Sequence, residues 1–122
     1  MSASGRGPQM TEEEALELQK ARERMLARHK LIEGMIHNNE LQQRNESARN
    51  GAEIERAVAL RDAALPSAGK TEQDEVTRTT ERLAVLEKEH QRLVAEREWL
   101  NTSLQEFDSG PSANEHQRAG HS

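Results

Sequence analysis

Four large apolar residues recur at intervals of seven near the end of this 122-residue chain: Leu86, Leu93, Leu100 and Phe107. Residues seven apart lie nearly two helical turns from one another, so the four form one stripe along an α-helix. A helix with such a stripe packs along its length against another helix. No other segment repeats as regularly, and the sequence therefore predicts that the protein acts through helix–helix packing.

The composition favours an elongated helical protein over a compact globular one. Leu, Ile, Val and Phe total 20 of the 122 residues, which is below the roughly 20% that a compact core requires. The 17 basic and 22 acidic residues are closely mixed and leave a net charge of only −5, whereas disordered chains combine low hydrophobicity with high net charge. Because the few apolar residues are in helical phase, we expect partner proteins to complete the core.

Several classes of function lack the residues they need. The chain has no cysteine, and it has neither an 18-residue apolar run nor the apolar core of a signal peptide. We therefore expect a cytoplasmic or nuclear protein without a transmembrane segment, for which direct membrane binding is disfavoured. Mild acidity disfavours nucleic-acid binding. His29 and His37 lack the spacing of a helical zinc site, and no catalytic constellation stands out, so we expect no enzyme activity, cofactor or metal.

The first helix has a clear start and an apolar stripe. Thr11 is placed to cap it, and Glu14 follows at the capping-box position. Apolar residues then recur at intervals of three, four and seven, and Ala21, Leu26 and Met35 widen the stripe, which indicates contact with more than one neighbour. The members of this stripe are Ala15, Leu18, Met25, Ile32 and Ile36.

The middle of the chain is polar and leaves three alternatives open: the first helix ends there, frays, or continues as a solvated polar helix. Asn50-Gly51 is a stop signal, and Pro66 ends a short apolar helix. Thr71, with Asp74, is placed to cap the last helix. The predicted segments are a disordered leader at 1–10, a helix at 11–44, a polar connector with a short helix at 52–65, a loop at 66–70, a helix at 71–107 and a disordered tail at 108–122.

Two polar residues lie on the stripe of the last helix. In a parallel homodimer Arg97 would face its own copy, which costs stability, and His90 lies one heptad before it. An antiparallel hairpin, or a different partner with an acid opposite Arg97, fits better. Alternatively, Arg97 extends to water over its aliphatic stem. Trp99 lies off the stripe, where it either anchors a second partner or lies flat on the helix surface.

The sequence thus predicts an all-α protein, an elongated helical hairpin or coiled coil with disordered termini. In general design it resembles the small helical-hairpin subunits of eukaryotic assemblies, including vesicle-tethering, organelle-positioning and kinetochore or cytoskeletal complexes. That resemblance covers residues 11–107 in architecture only. It implies a non-enzymatic subunit or adaptor in a hetero-oligomer; the alternative is an inhibitor that inserts an amphipathic helix into an enzyme groove. The predicted partner-interface residues are Leu18, Met25, Ile32, Ile36, Leu83, Leu86, Leu93, Arg97, Trp99, Leu100, Leu104 and Phe107.

Overall fold

Two long helices make up the fold. The computed structural model describes residues 9–121, and the side chains of residues 9–110. Helix α1 spans Glu12–Ala63 and helix α2 spans Lys70–His121, each of 52 residues. The two pack against each other as a hairpin, and no strand occurs among the described residues. The predicted all-α helical hairpin is confirmed.

The start of α1 follows the capping prediction. Thr11 has extended backbone angles, and its side-chain oxygen accepts a hydrogen bond from the backbone N–H of Glu14 at 3.1 Å. Three glutamates occupy the first turn, where negative charge is favourable beside the positive end of the helix dipole. The helix therefore begins where the local sequence directs it.

Helix α1 continues without interruption through the polar middle of the chain. Of the three alternatives for this segment, the structure has the continuing helix, in place of a helix that ends at residue 44, a polar connector and a separate short helix at 52–65. A glycine inside a helix costs only about 1 kcal/mol relative to alanine, and packing against a second helix outweighs that cost. The packing is visible as buried residues at intervals of seven: Asn38, Asn45, Ala52 and Ala59.

The connection between the helices is residues 64–69, so it begins earlier than the predicted loop at 66–70. Helix α2 then starts at Lys70, and the backbone N–H of Gly69 donates to the carboxylate of Glu72 at 2.7 Å. This hydrogen bond lowers the pKa of Glu72. The predicted cap at Thr71 is therefore wrong. Thr71 already lies inside the helix, and the side chain that accepts a hydrogen bond from the backbone before the helix is Glu72, not Asp74.

Helix α2 passes the point where the sequence predicts a tail. Asp108 lies within it and bonds to Arg28 of α1 at 2.8 Å, so the predicted boundary at 108 is too early. Gly110 interrupts the helical geometry, with φ 62° and ψ 165°, and its positive φ is one that glycine adopts at little cost. Of the leader predicted at 1–10, residues 1–8 lie outside the described residues.

The hairpin interface changes in character along its length. Near the loop it is built from small residues, Ala52, Ala59 and Thr79, which are buried. Farther away the large side chains of Leu93 and Leu100 are buried instead. These positions form one narrow apolar strip between two helices, so most of each helix surface faces solvent.

Candidate partner-binding surface

The α2 members of the predicted partner interface lie largely inside the hairpin. Leu93 and Leu100 are buried, and the other apolar members are half-buried: Leu83, Leu86, Leu104 and Phe107. A Cβ atom added at Gly34 of α1 would lie 3.1 Å from Cδ2 of Leu100, so the helices approach closely there. This stripe therefore packs against the chain's own first helix.

Arg97 is also engaged within the hairpin. Its Nη1 donates to the side-chain oxygen of Asn39 on α1. Its Nε is buried and has no hydrogen-bond partner among the described residues. Of the two alternatives that the sequence favoured, an antiparallel hairpin or a different partner with an acid opposite Arg97, the structure has the hairpin, with the Asn39 amide beside Arg97.

Asn38 is a fully buried polar residue in the hairpin interface. Its Nδ2 donates to the backbone carbonyl oxygen of Leu93 at 2.9 Å and to the carboxylate of Glu96 at 3.1 Å. Its Oδ1 accepts from Nε2 of Gln42 at 2.7 Å. The amide therefore has a partner for both its nitrogen and its oxygen, which removes most of the cost of burying it.

Asn45 repeats this arrangement one heptad later in α1 and one heptad earlier in α2. Its Nδ2 donates to the carbonyl oxygen of Leu86 at 3.0 Å and to the carboxylate of Glu89 at 3.3 Å. Its Oδ1 accepts from Nε of Arg49 at 2.8 Å. We call Asn38 and Asn45 the interface asparagines. The bonds from an asparagine to a carbonyl oxygen and to a glutamate thus occur twice, seven residues later along α1 and seven residues earlier along α2. This repetition fits one antiparallel alignment of the helices.

Sequence reasoning did not assign the interface asparagines, because it treated their segment as a solvated connector. A signal was present: Leu31, Asn38, Asn45, Ala52 and Ala59 recur at intervals of seven. Hydropathy does not reveal this series, since two members are polar and two are small. The hydrogen bonds that allow the two asparagines to be buried are made to groups of α2.

The α1 members of the predicted interface lie on a different side of the helix. Met25 is 72% exposed, Ile36 56% and Leu18 42%, and Ile32 is half-buried. At 100° per residue these four share one face, more than 100° around the helix from Asn38. We call them the outer stripe: Leu18, Met25, Ile32 and Ile36.

Two open depressions adjoin Met25 at the centre of the outer stripe. One, of about 330 Å³, is lined by residues of α1 alone, including Leu26 and Ile32. The other, of about 310 Å³, lies between α1 and the end of α2 and is lined by Ala21 and Phe107 among others. Depressions this open suit side chains projecting from a docked helix better than an enclosed small ligand.

Charged groups of both helices surround the second depression. Nε of Arg28 bonds to the carboxylate of Asp108 at 2.8 Å, which lowers the pKa of Asp108 and raises that of Arg28. The guanidinium carbon of Arg24 lies 5.6 Å from the ring centre of Phe107, within range of a cation–π interaction. The rim of this depression therefore carries two arginines in fixed positions.

Trp99 is 63% exposed on α2. It is separated from the buried positions of its helix, as the sequence predicts, and no other tryptophan occurs in the chain.

Other kinds of site find no support in the described part of the chain. A search of the described residues finds no group of three or more His, Asp or Glu residues placed to hold a metal ion. The same residues include no helix with the combined length and apolar character needed to cross a bilayer.

A comparison with protein-family models found no match, and comparisons with curated proteins and with solved structures found none either. The function is therefore inferred from the residues and their geometry alone.

Proposed function

We propose that this chain is a non-enzymatic helical-hairpin subunit or adaptor that binds helices of other proteins in a multi-protein assembly. The outer stripe carries this proposal. Its residues are apolar and in helical phase, yet the hairpin leaves Leu18, Met25 and Ile36 exposed and Ile32 only half-buried. Fully burying a side chain of this type contributes roughly 1.5–3 kcal/mol, so a partner helix laid along the stripe gains several such contributions.

The hairpin provides a rigid support for that surface. From Leu31 onward helix α2 covers the opposite side of α1, whereas residues 11–30 are exposed on every face, and the interface asparagines bond the two helices together. A surface that is already ordered loses less conformational entropy when a partner binds. This supports a subunit or adaptor over the inhibitor alternative, which expects a largely unfolded monomer that orders only on its enzyme.

The setting we propose is the cytoplasm or nucleus, within an assembly of the vesicle-tethering, organelle-positioning or kinetochore and cytoskeletal kind. Architectural resemblance supports this range of assemblies. The proposal does not depend on which member of the range is correct, because it concerns the surface that binds.

Affinity purification of the full chain from its own cells, followed by cross-linking mass spectrometry, tests the proposal. Lys20 and Lys30 flank Met25 on α1 and are suitable cross-linking sites. We expect cross-links from them to helical segments of other proteins, and we expect Met25→Asp to abolish these cross-links. Val85→Asp is the matched control, because Val85 is 64% exposed but lies on α2.

Circular dichroism should show the same helicity for both variants, since both positions are exposed. Retention of all partners by Met25→Asp would overturn the proposal. Recovery of one enzyme whose activity the purified hairpin blocks would favour the inhibitor alternative.

A further inference from the structure

Residues 20–30, around Met25, form a positive segment in a negative protein. The chain as a whole has a net charge of −5, but this segment has five basic residues and one acid, a net +4 with histidine neutral. The basic residues are Lys20, Arg22, Arg24, Arg28 and Lys30, and the acid is Glu23. Asp108 of α2 offsets one of these charges through its bond to Arg28.

Some of these cations lie directly beside the apolar surface. Arg22 is three residues before Met25, and Arg28 and His29 are three and four residues after it, so all three neighbour Met25 on the helix. His29 also contacts the carboxylate of Glu33 at 2.8 Å. A helix docked on Met25 would therefore bring its flanking side chains within reach of at least two arginines.

Segments of the chain beyond the described side chains do not match this surface. The apolar residues of segments 1–8 and 111–122 are Met1 and three alanines, and neither segment contains Leu, Ile, Val or Phe. They cannot supply a series of large apolar side chains spaced for a helix face. These two segments are therefore not the occupant of the outer stripe.

A second copy of the chain is a poor match for electrostatic reasons. A parallel pairing of two outer stripes places residues 20–30 against the same residues of the other copy. The antiparallel pairing that sets Leu18 opposite Ile36 is centred on residue 27, so it places residues 20–30, of net charge +4, against residues 24–34, of net charge +2. Both arrangements bring two positive segments together, which costs free energy.

We infer that the outer stripe binds an amphipathic helix whose own apolar stripe is flanked by carboxylates. The inference rests on the proposed function and names the chemistry of the partner. Leu18, Met25, Ile32 and Ile36 supply the apolar contact, in the helix-in-groove mode. The basic residues around Met25 pair with the flanking carboxylates, which sets orientation and speeds association at low salt.

Two designed helical peptides of about three heptads test this inference against the full chain. They share one leucine stripe, and their flanking positions are all glutamate in one and all lysine in the other. Fluorescence anisotropy should show at least about tenfold tighter binding of the glutamate peptide, a preference that shrinks as salt is added. Arg22→Glu with Lys30→Glu should remove that preference, whereas Arg82→Glu on α2 should keep it.

Equal binding of the two peptides, or tighter binding of the lysine peptide, would overturn the inference. So would a tight dimer of the full chain in analytical ultracentrifugation that Met25→Asp dissociates, because the second copy would then be the occupant. Anionic vesicles and single-stranded nucleic acid are tested in the same way. If either binds as tightly as the glutamate peptide, and Arg22→Glu with Lys30→Glu abolishes that binding, the positive segment binds that ligand instead.

The outcome separates this inference from the proposed function. If the glutamate peptide shows no preference but cross-links from α1 to partner helices still require Met25, the charge argument fails and the adaptor function stands. If Met25→Asp leaves the partners unchanged as well, both fail.

Discussion

Asn38 and Leu93 are joined across the hairpin by a hydrogen bond of 2.9 Å from the side-chain amide of one to the backbone carbonyl oxygen of the other. Asn45 makes the same bond to Leu86 at 3.0 Å. Since the helices run in opposite directions, a step of seven along α1 matches a step of seven back along α2. Every residue of α2 has a carbonyl oxygen, so the second bond of each amide distinguishes the alignments: a shift of one heptad would leave only one of Asn38 and Asn45 opposite a glutamate.

Replacing both interface asparagines by leucine should raise the free energy of unfolding and weaken the preference for one alignment of the two helices. Each leucine adds buried apolar area and removes the hydrogen bonds of one amide, for a net gain of about 1 kcal/mol per site. A polar residue in a helix–helix interface specifies alignment and oligomeric state at a cost in stability. Asn38→Leu with Asn45→Leu should therefore melt at higher temperature and form dimers or larger species in analytical ultracentrifugation.

Asn50→Leu is the matched control, because Asn50 is exposed and should leave the oligomeric state unchanged. A double variant that stays monomeric and melts at lower temperature would show that the asparagines chiefly stabilise the hairpin.

Leu93→Ala should destabilise the hairpin by about 2–5 kcal/mol, the cost of removing a large buried side chain. Leu93 is buried among few other large apolar residues, so neighbouring side chains have little capacity to fill the space. Urea titration followed by circular dichroism measures the change. Trp99→Ala, at an exposed position of the same helix, should change stability by less than about 0.5 kcal/mol. Similar losses for the two variants would contradict the assigned interface.

Gly51→Ala tests the continuity of α1 directly. A Cβ atom at Gly51 would meet nothing within 4 Å, so alanine should stabilise an unbroken helix by about 0.5–1 kcal/mol. Gly110→Ala should have the opposite sign, because Gly110 has a φ of 62° that alanine adopts only with strain. Thermal melts of both variants provide the measurement. A neutral or destabilising Gly51→Ala would indicate a turn or hinge in the middle of α1.

The stripe of α2 was predictable because its hydrophobic residues alone define a heptad pattern. Leu86, Leu93 and Leu100 contact their neighbour through apolar surface, and any amphipathic-helix argument finds them. The matching face of α1 was not predictable in this way. Asn38 and Asn45 are polar, and the glutamates that accept hydrogen bonds from them, Glu96 and Glu89, belong to the other helix.

The outer stripe shows a second limit of sequence reasoning. The spacing of Leu18, Met25, Ile32 and Ile36 correctly indicates an apolar face on α1. It does not reveal that the hairpin leaves this face exposed, because the face that α2 covers has no stripe of large apolar residues and instead contains Asn38, Asn45, Ala52 and Ala59. Deciding which face α2 covers required the positions of both helices.

The ion pair between Arg28 and Asp108 predicts how the open end of the hairpin responds to acid. The hydrogen bond and charge of Arg28 lower the pKa of Asp108 in the folded chain below its ordinary value. Such a group stabilises the fold above its unfolded pKa, near 3.9, and that contribution is lost as the pH falls through the lower folded pKa. Carboxyl NMR titration should therefore give a depressed midpoint for Asp108 in the wild type and an ordinary one in Arg28→Gln.

Glu75 supplies an internal control for this titration. Its pKa is also lowered, but chiefly by Arg78 of the same helix, so Arg28→Gln should leave its midpoint unchanged. Leu93→Asp, which places a charge in the hairpin interface and should separate the helices, should return Asp108 to its ordinary pKa. An ordinary midpoint for Asp108 in the wild type would show that the two helices are not paired at this end, beside the depression that we assign to the partner.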